Sequence, residues 1–370
     1  MESDQKMTSA RRIEGLDVAR SLAIFGMMIV HFMLVMTDKM PPQKWSTTLL
    51  YLLDGRPAAT FVILAGMGMT LMARKASASG AVTDRKKIEK VFHRRGVLLL
   101  ILGFLNLAIW EGDILRVYGV SLLIVPFLIW RSGRTVMLTA LGFLAAFGVL
   151  FVTLDYDKNW DWTTMTYHGL WTVSGLLRSL FYDGFRSVFP WTGLLLLGVW
   201  LGRLDWSTDG IPRKAMVGGL TLVISTAVLS NFVVHWLDAH PQPGLNHETS
   251  VALFGLISMP PLPMFLLNAT GCALLVIGAS TLIARRGAGW LAVRALSATG
   301  RMALTWYMAH IVLGLGGVIV LGWLRTSPLQ ALATATMFFA GAVTVSLWWS
   351  QHFASGPLES VLRKVGRAGD

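Results

Sequence analysis

The sequence predicts an all-α fold, a polytopic membrane helix bundle of about ten spans with both termini cytoplasmic. Three observations predict it. Of 370 residues, 54% are hydrophobic and 14% charged, against roughly 25% charged in a soluble domain. The apolar residues come in runs, enriched by 15 Trp and 18 Phe, and the mean hydropathy is +0.59. The lysines and arginines fall between those runs instead of forming one patch. A soluble enzyme, a disordered chain and a disulfide scaffold are thereby excluded. Cys272 is the lone cysteine and lies inside an apolar run, so no internal disulfide exists. The net charge of +12 reads as a membrane orientation signal, and no nucleic-acid partner is expected.

A spanning helix needs about 20 mostly apolar residues. Leu16–Met36 is the first, and the absence of a small-x-small cleavage site soon after it marks a retained span, not an export signal. Pro57–Ala73, Gly96–Trp110, Ile114–Trp130, Val136–Leu154 and Val188–Leu201 follow, the third and sixth spans being short. Gly169–Tyr182 is amphipathic and reads as a helix lying at the interface. Ala215–Leu237, Leu262–Ala284, Met302–Leu324 and Leu329–Trp349 complete the ten. The apolar stretch from Ser250 to Ile283 is too long for one straight helix, and Met259-Pro-Pro-Leu-Pro263 interrupts it. Proline removes a donor and clashes one turn back, so a short outer half-helix should precede the eighth span.

Ten crossings put both termini on one side. That side holds 24 of the 32 lysines and arginines, the other side eight, while the 20 acidic residues divide evenly. Positive-inside logic makes the terminal side cytoplasmic. The expected organisation is an N-terminal tail over 1–12, a membrane domain over 13–354 and a C-terminal tail over 355–370.

Titratable side chains inside a span cost free energy and mark candidate sites. The first span holds Asp17, Arg20 and His31. Positions 20 and 31 are about three helical turns apart, on one face, with roughly 16 Å of rise between them. An anionic ligand end at Arg20 would therefore leave its other end near His31. Glu111 and Asp113 occupy a tight outer turn, where they could orient an acceptor hydroxyl or amine, and Arg116 follows within pairing reach of Asp113. In the ninth span, Arg301 stands at the cytoplasmic start, and Trp306 and His310, four apart, share a face. Arg94 and Arg95 end a basic cytoplasmic loop. The outer loop with His235, Asp238, His240, His247 and Glu248 fits no zinc spacing, so no metal site is expected.

The segment Arg12-Ile-Glu-Gly-Leu-Asp17-Val-Ala-Arg20-Ser-Leu-Ala-Ile, followed by His31, resembles the first span of the bacterial membrane acyltransferases that O-acylate sugars. There an Arg/Asp/Arg cluster precedes a membrane histidine taken to be catalytic. The rest of the chain resembles the YeiB-type proteins and heparan-α-glucosaminide N-acetyltransferases. The likeness rests on Phe61-Val-Ile-Leu-Ala-Gly66, Trp110-Glu-Gly-Asp113-Ile-Leu-Arg-Val-Tyr118, Gly300-Arg-Met-Ala-Leu-Thr-Trp-Tyr307 and Gly356-Pro-Leu-Glu359. One departure stands out. Heparan-type enzymes place the essential histidine before the second span, whereas Thr37–Arg56 has none here. Either His31 takes that role or the chain has another chemistry.

The resemblance implies an integral membrane acyltransferase of the bacterial inner membrane. It would move an acyl group, acetyl in the first instance, from cytoplasmic acyl-CoA to a sugar or glycoconjugate at the outer face. His31, Asp17, Glu111 and Asp113 are the candidate catalytic residues. Arg20, Arg94, Arg95, Arg301, Trp306 and His310 are the candidates for holding acyl-CoA. The sequence leaves open whether His31 or His310 is the base. The expected partners are the lipid bilayer, acyl-CoA and a carbohydrate or other small acceptor, and a homodimer is compatible with the chain. A transporter or flippase, suggested by the Pro-broken helix and midplane polar residues, is the competing reading.

Overall fold

The computed structural model describes residues 13–37, 41, 43–77 and 82–367. The tail over 1–12, including Arg12, and Lys39 lie outside the described residues, as do the last three positions of the C-terminal tail. Helix α1 (Glu14–Met36) is followed by α2 (Lys44–Leu53), α3 (Arg56–Ser77), α4 (Val82–Leu107), α5 (Leu115–Leu128) and α6 (Gly133–Thr153). A two-stranded hairpin, β1 (Trp160–Asp161) and β2 (Thr166–Tyr167), leads to α7 (Val173–Arg178) and a π-helical turn over Ser179–Asp183. Then come α8 (Val188–Leu201), α9 (Gly210–Ala239), α10 (His247–Phe254), α11 (Pro263–Arg286) and α12 (Leu291–Arg301). Helix α13 (Ala303–Ala309) runs through a second π-helical segment, His310–Leu315, into α14 (Gly316–Val320). Helices α15 (Pro328–His352) and α16 (Pro357–Arg367) close the chain.

The protein is a multi-pass helical membrane protein. Every one of the ten apolar runs coincides with helix, but fewer than ten of the helices meet the requirement for a crossing. Seven helices among the described residues are long and apolar enough to cross a bilayer, or eight if the pair Val173–Asp183 and Val188–Leu201, bent by 44°, counts as one broken span. The shortfall from ten has simple causes. Helix α5 has 14 residues, about 21 Å of rise against a hydrocarbon core of about 30 Å. The N-terminal part of α4 carries Arg85, Lys86, Lys87, Lys90, Arg94 and Arg95. The break foreseen at Met259–Pro263 is present between α10 and α11. The amphipathic segment Gly169–Tyr182 becomes the short α7 and its π turn.

Helix α1 is the hub. It packs on α3, α11, α12 and α15, and 72% of its apolar window is buried, against 17% for α6 and 22% for α9 and α15. The outer helices instead present Leu, Val and Phe outward, such as Val149, Val152 and Phe232. These side chains suit lipid contact, since lipid tails are as apolar as they are. Close packing around the hub depends on small residues. A Cβ on Gly300 would strike the Asp17 carbonyl, and one on Gly15 would strike Thr281. The start of α1 is thus pressed against the end of α12. This end of the bundle is called proximal below, and the end where α1 finishes is called distal. Helix α16 is anchored at the same proximal end, since Glu359 accepts from the Leu304 and Thr305 N–H groups at 2.7 and 3.1 Å and from the Thr305 hydroxyl at 2.6 Å. Those are orphan donors at the first turn of α13, so Gly356-Pro-Leu-Glu359 fastens the chain's last helix to the base of the helix bearing His310.

Candidate functional site

His31 lies in the last two turns of α1, and His310 opens the π-helical segment that continues α13. The two rings meet: His31 Nδ1 is 2.9 Å from His310 Nε2. His31 is 9% exposed and His310 is fully buried. The hydrogen-bond network fixes which nitrogen holds each proton when both rings are neutral. His310 Nδ1 is 3.1 Å from the carbonyl oxygen of Trp306, which can only accept, so Nδ1 carries the hydrogen. His310 Nε2 is then a lone pair and accepts from His31 Nδ1–H. His31 Nε2 is left as the remaining lone pair. A π-bulge at this position follows a common pattern, because such bulges reorient a side chain at functional sites.

The neighbouring side chains hold the pair. The Trp110 ring stands 4.7 Å from the His31 ring, and the Tyr307 ring meets His310 edge-on at 5.5 Å. The Tyr307 hydroxyl accepts from the Ile114 N–H at 3.2 Å and donates to Asp113 Oδ1 at 3.4 Å. Asp113 is fully buried. Its Oδ1 also accepts from Asn106 Nδ2 at 2.8 Å, and its Oδ2 from the Arg116 N–H at 3.1 Å. Burial pushes the Asp113 carboxyl up, against the opposing pull of Asn106 and Arg116. Asp113 therefore acts as a hub that fastens the α4–α5 turn to α13. Glu111 is half-buried, with its own carboxyl pushed up by burial. It lines a neighbouring small cavity with Arg116, Trp160 and Tyr167, where its Oε2 and the Arg116 Nε and Nη1 have no hydrogen-bond partner in the protein.

Beside the histidine pair is a second cavity, of about 20 Å³, roughly one water's room. Its walls include Met27, Val30, His31, Pro57, Gly112, Tyr307 and Arg186. Arg186 enters from the segment before α8. Its sequence signal was weak because it read as one of eight lysines and arginines on the outer side. The clue available was its setting, Phe185 before it and Phe189-Pro-Trp191 after it.

The other candidates lie away from this centre. Asp17 pairs with Arg20 at 2.6 Å at the proximal end, about 21 Å of helix rise from His31. Arg20 also reaches the Leu64 carbonyl at 3.4 Å. Arg301 ends α12, next to the Gly300 that abuts Asp17, so Arg20 and Arg301 share the proximal end. Arg94 and Arg95 lie on α4, where Arg95 meets Met72 and faces Gly366 of α16. The Trp306 indole donates to Ser346 Oγ at 2.7 Å on α15, so only its backbone carbonyl serves the pair. The stripe from Arg20 to His31 is not an open conduit: Ser21, Ile24 and Met28 are fully buried between packed helices. In the distal loop, His235 and His240 bond carbonyls one turn back, and His247 pairs with Asp238 at 2.9 Å. Among the described residues no group of three His, Cys, Asp or Glu is placed to hold a metal.

Fold and site together define the class, a multi-pass helical membrane protein built around a buried histidine pair. Residues 12–237 match the family described as heparan-alpha-glucosaminide N-acetyltransferase, catalytic, and the chain belongs to that family. Residues 200–368 match a second family, described as a protein of unknown function (DUF418). The uncharacterized protein YeiB of Escherichia coli (strain K12) is 24% identical, with 95% of each chain covered. The uncharacterized protein YxaH of Bacillus subtilis (strain 168) is 28% identical over 43% of each chain. The likeness read from the motifs thus holds along nearly the whole length. The histidine pair bridges the two matched regions, since His31 falls in the first and His310 in the second.

Proposed function

We propose that this protein is a membrane acyltransferase in which His31 is the general base and His310 orients it. The observation that carries this reading is the 2.9 Å contact between His31 Nδ1 and His310 Nε2, backed by the Trp306 carbonyl. It leaves one imidazole lone pair on a ring that lines a cavity with an arginine in its wall. A base held in one tautomer removes the acceptor's proton as the acceptor attacks a thioester, and burial keeps water from competing. Family membership supports acyl transfer, with acyl-CoA, acetyl-CoA first, as donor and a sugar or other small hydroxyl or amine compound as acceptor. Arg20 and Arg301 at the proximal end, with Arg94 and Arg95 on α4, would meet the phosphates of CoA from the cytoplasm. The bundle would then sit in the bacterial inner membrane, with the proximal end inside and the histidines nearer the outer face. Because the column between Arg20 and His31 is packed, admission of the acyl group requires the seam beside α1 to part.

The transporter reading has less support. The α10–α11 break is not an open passage, because Arg56 fills it, bonding Asn268 Oδ1 at 2.8 Å and the Leu256 carbonyl at 3.3 Å.

The decisive test is purified protein in lipid nanodiscs, given labelled acetyl-CoA and a panel of sugars and amino sugars. Wild type is expected to transfer label, and His31→Ala to lose at least 10²-fold in rate. Full activity in His31→Ala would remove His31 from the chemistry. No transfer by wild type to any acceptor, together with no CoA binding, would overturn the reading.

A further inference from the structure

Arg186 is the one feature of the cavity that the proton-transfer scheme leaves idle. It lines the same small space as His31 and Tyr307. Its Nη1 donates to the Phe185 carbonyl at 2.6 Å, and its guanidinium carbon stands 4.8 Å over the ring of the fully buried Trp191. No carboxylate lies within ion-pair distance of it among the described residues. Asp54, the acidic group that attracts it from α2's end, is engaged by the Ser258 hydroxyl. Tyr156 and Tyr307 are the other groups near enough to feel its charge. The guanidinium is thus gripped from one side by a backbone carbonyl and an indole face, with no carboxylate in ion-pair contact among the described residues. A cation beside a bilayer-spanning bundle is costly to leave without one, and the indole offsets only about 0.5–2 kcal/mol.

Resting on the acyl-transfer reading above, we infer that Arg186 is a catalytic residue, the standing positive charge that meets the oxyanion of the tetrahedral intermediate. The acceptor's O–H or N–H proton passes to His31 Nε2 as its heteroatom bonds the thioester carbon. The carbonyl π pair moves onto oxygen, producing the negative charge beside Arg186. Collapse re-forms the carbonyl and breaks the C–S bond, and the thiolate takes the proton back from His31 Nε2. Arg186 changes neither protonation nor bonding. It works because it is already in place, so no reorganisation is needed when the charge develops.

The test is a comparison of wild type with Arg186→Gln and Arg186→Lys in nanodiscs, with thermal stability measured in parallel. Arg186→Gln should lower kcat by 10²–10³-fold, while the KM of the acceptor and the Kd of acetyl-CoA stay within about twofold. Arg186→Lys should recover part of the rate, since a point charge replaces the fork. Arg186→Ala with added guanidinium should also regain rate. A raised acceptor KM with unchanged kcat would assign Arg186 to holding an anionic acceptor and overturn the inference. Unchanged kcat and KM in a stable Arg186→Gln would overturn it too. Should Arg186→Gln not fold, Arg186→Ala decides per folded molecule: a lost kcat that added guanidinium restores supports the charge role, and a wild-type kcat without guanidinium refutes it. If wild type itself transfers nothing, the parent reading falls, an outcome distinct from an active wild type with an equally active Arg186→Gln.

Discussion

The two ends of α1 hold two very different polar pairs. At the proximal end Asp17 and Arg20 are three residues apart on one helix, with Asp17 buried and Arg20 21% exposed. At the distal end His31 meets His310 across a sequence separation of 279, both buried. An i,i+3 ion pair forms wherever a helix forms, whatever surrounds it, and such pairs contribute only about 0.3–1 kcal/mol when exposed. The histidine pair exists only if α1, α13 and the π-helical segment are all in register. One pair anchors a helix end. The other reports that the whole bundle is assembled, which is what a preorganised base requires.

Three perturbations sharpen that contrast. The largest effect is expected from His310→Ala, which removes the acceptor for His31 Nδ1–H. The His31 tautomer is then no longer specified, and kcat in the acetyl-transfer assay should fall by about 10–10³-fold, less than for His31→Ala. His310→Gln, which can still accept, should recover part of that loss. Equal rates for wild type and His310→Ala would leave His31 working alone.

An intermediate effect is expected at Asp113, and it depends on pH. Burial raises its carboxyl in the folded protein, so the folded state binds this proton more readily than the unfolded chain does. The sign follows from linkage: the penalty for burying the charge is present at neutral pH and fades as pH falls through the raised value. Asp113→Asn should remove that slope. Melting curves from about pH 7 down to about pH 4 would show a flatter stability profile in the variant, and parallel profiles would refute the assignment. The smallest effect belongs to Arg20→Ala. It should raise the KM for acetyl-CoA several-fold while kcat holds. A fall in kcat with unchanged KM would place Arg20 in the chemistry instead.

Much of this was legible in the chain. Apolar runs foretold where helices lie, because a bilayer dictates length and composition directly. The prolines at 260, 261 and 263 foretold the break before α11, since the constraint they impose is local. The crossing count was less legible, because apolarity is shared by buried and lipid-facing helices. The short α5 and the basic N-terminal part of α4 are held by neighbours, not by their own hydropathy. At the site, His31 and His310 were each visible as polar residues inside apolar spans, and Asp113 as a carboxylate in a tight turn. Their pairing was not, because no local periodicity relates α1 to α13. Arg186 was missed for the converse reason: loop arginines are common, and only tertiary packing shows that this one turns inward.

The span between His31 and His310 also has a consequence for biogenesis. During synthesis α1 reaches the bilayer long before α13 is made, so its imidazole must wait in hydrocarbon, or beside an insertion chaperone, without its eventual companion. Helix α12, whose Gly300 abuts Asp17, and α13 are among the last pieces delivered to the hub. The centre of the molecule is therefore finished only near the end of translation, and a nascent chain released early would have its first helix in place and nothing for it to work with.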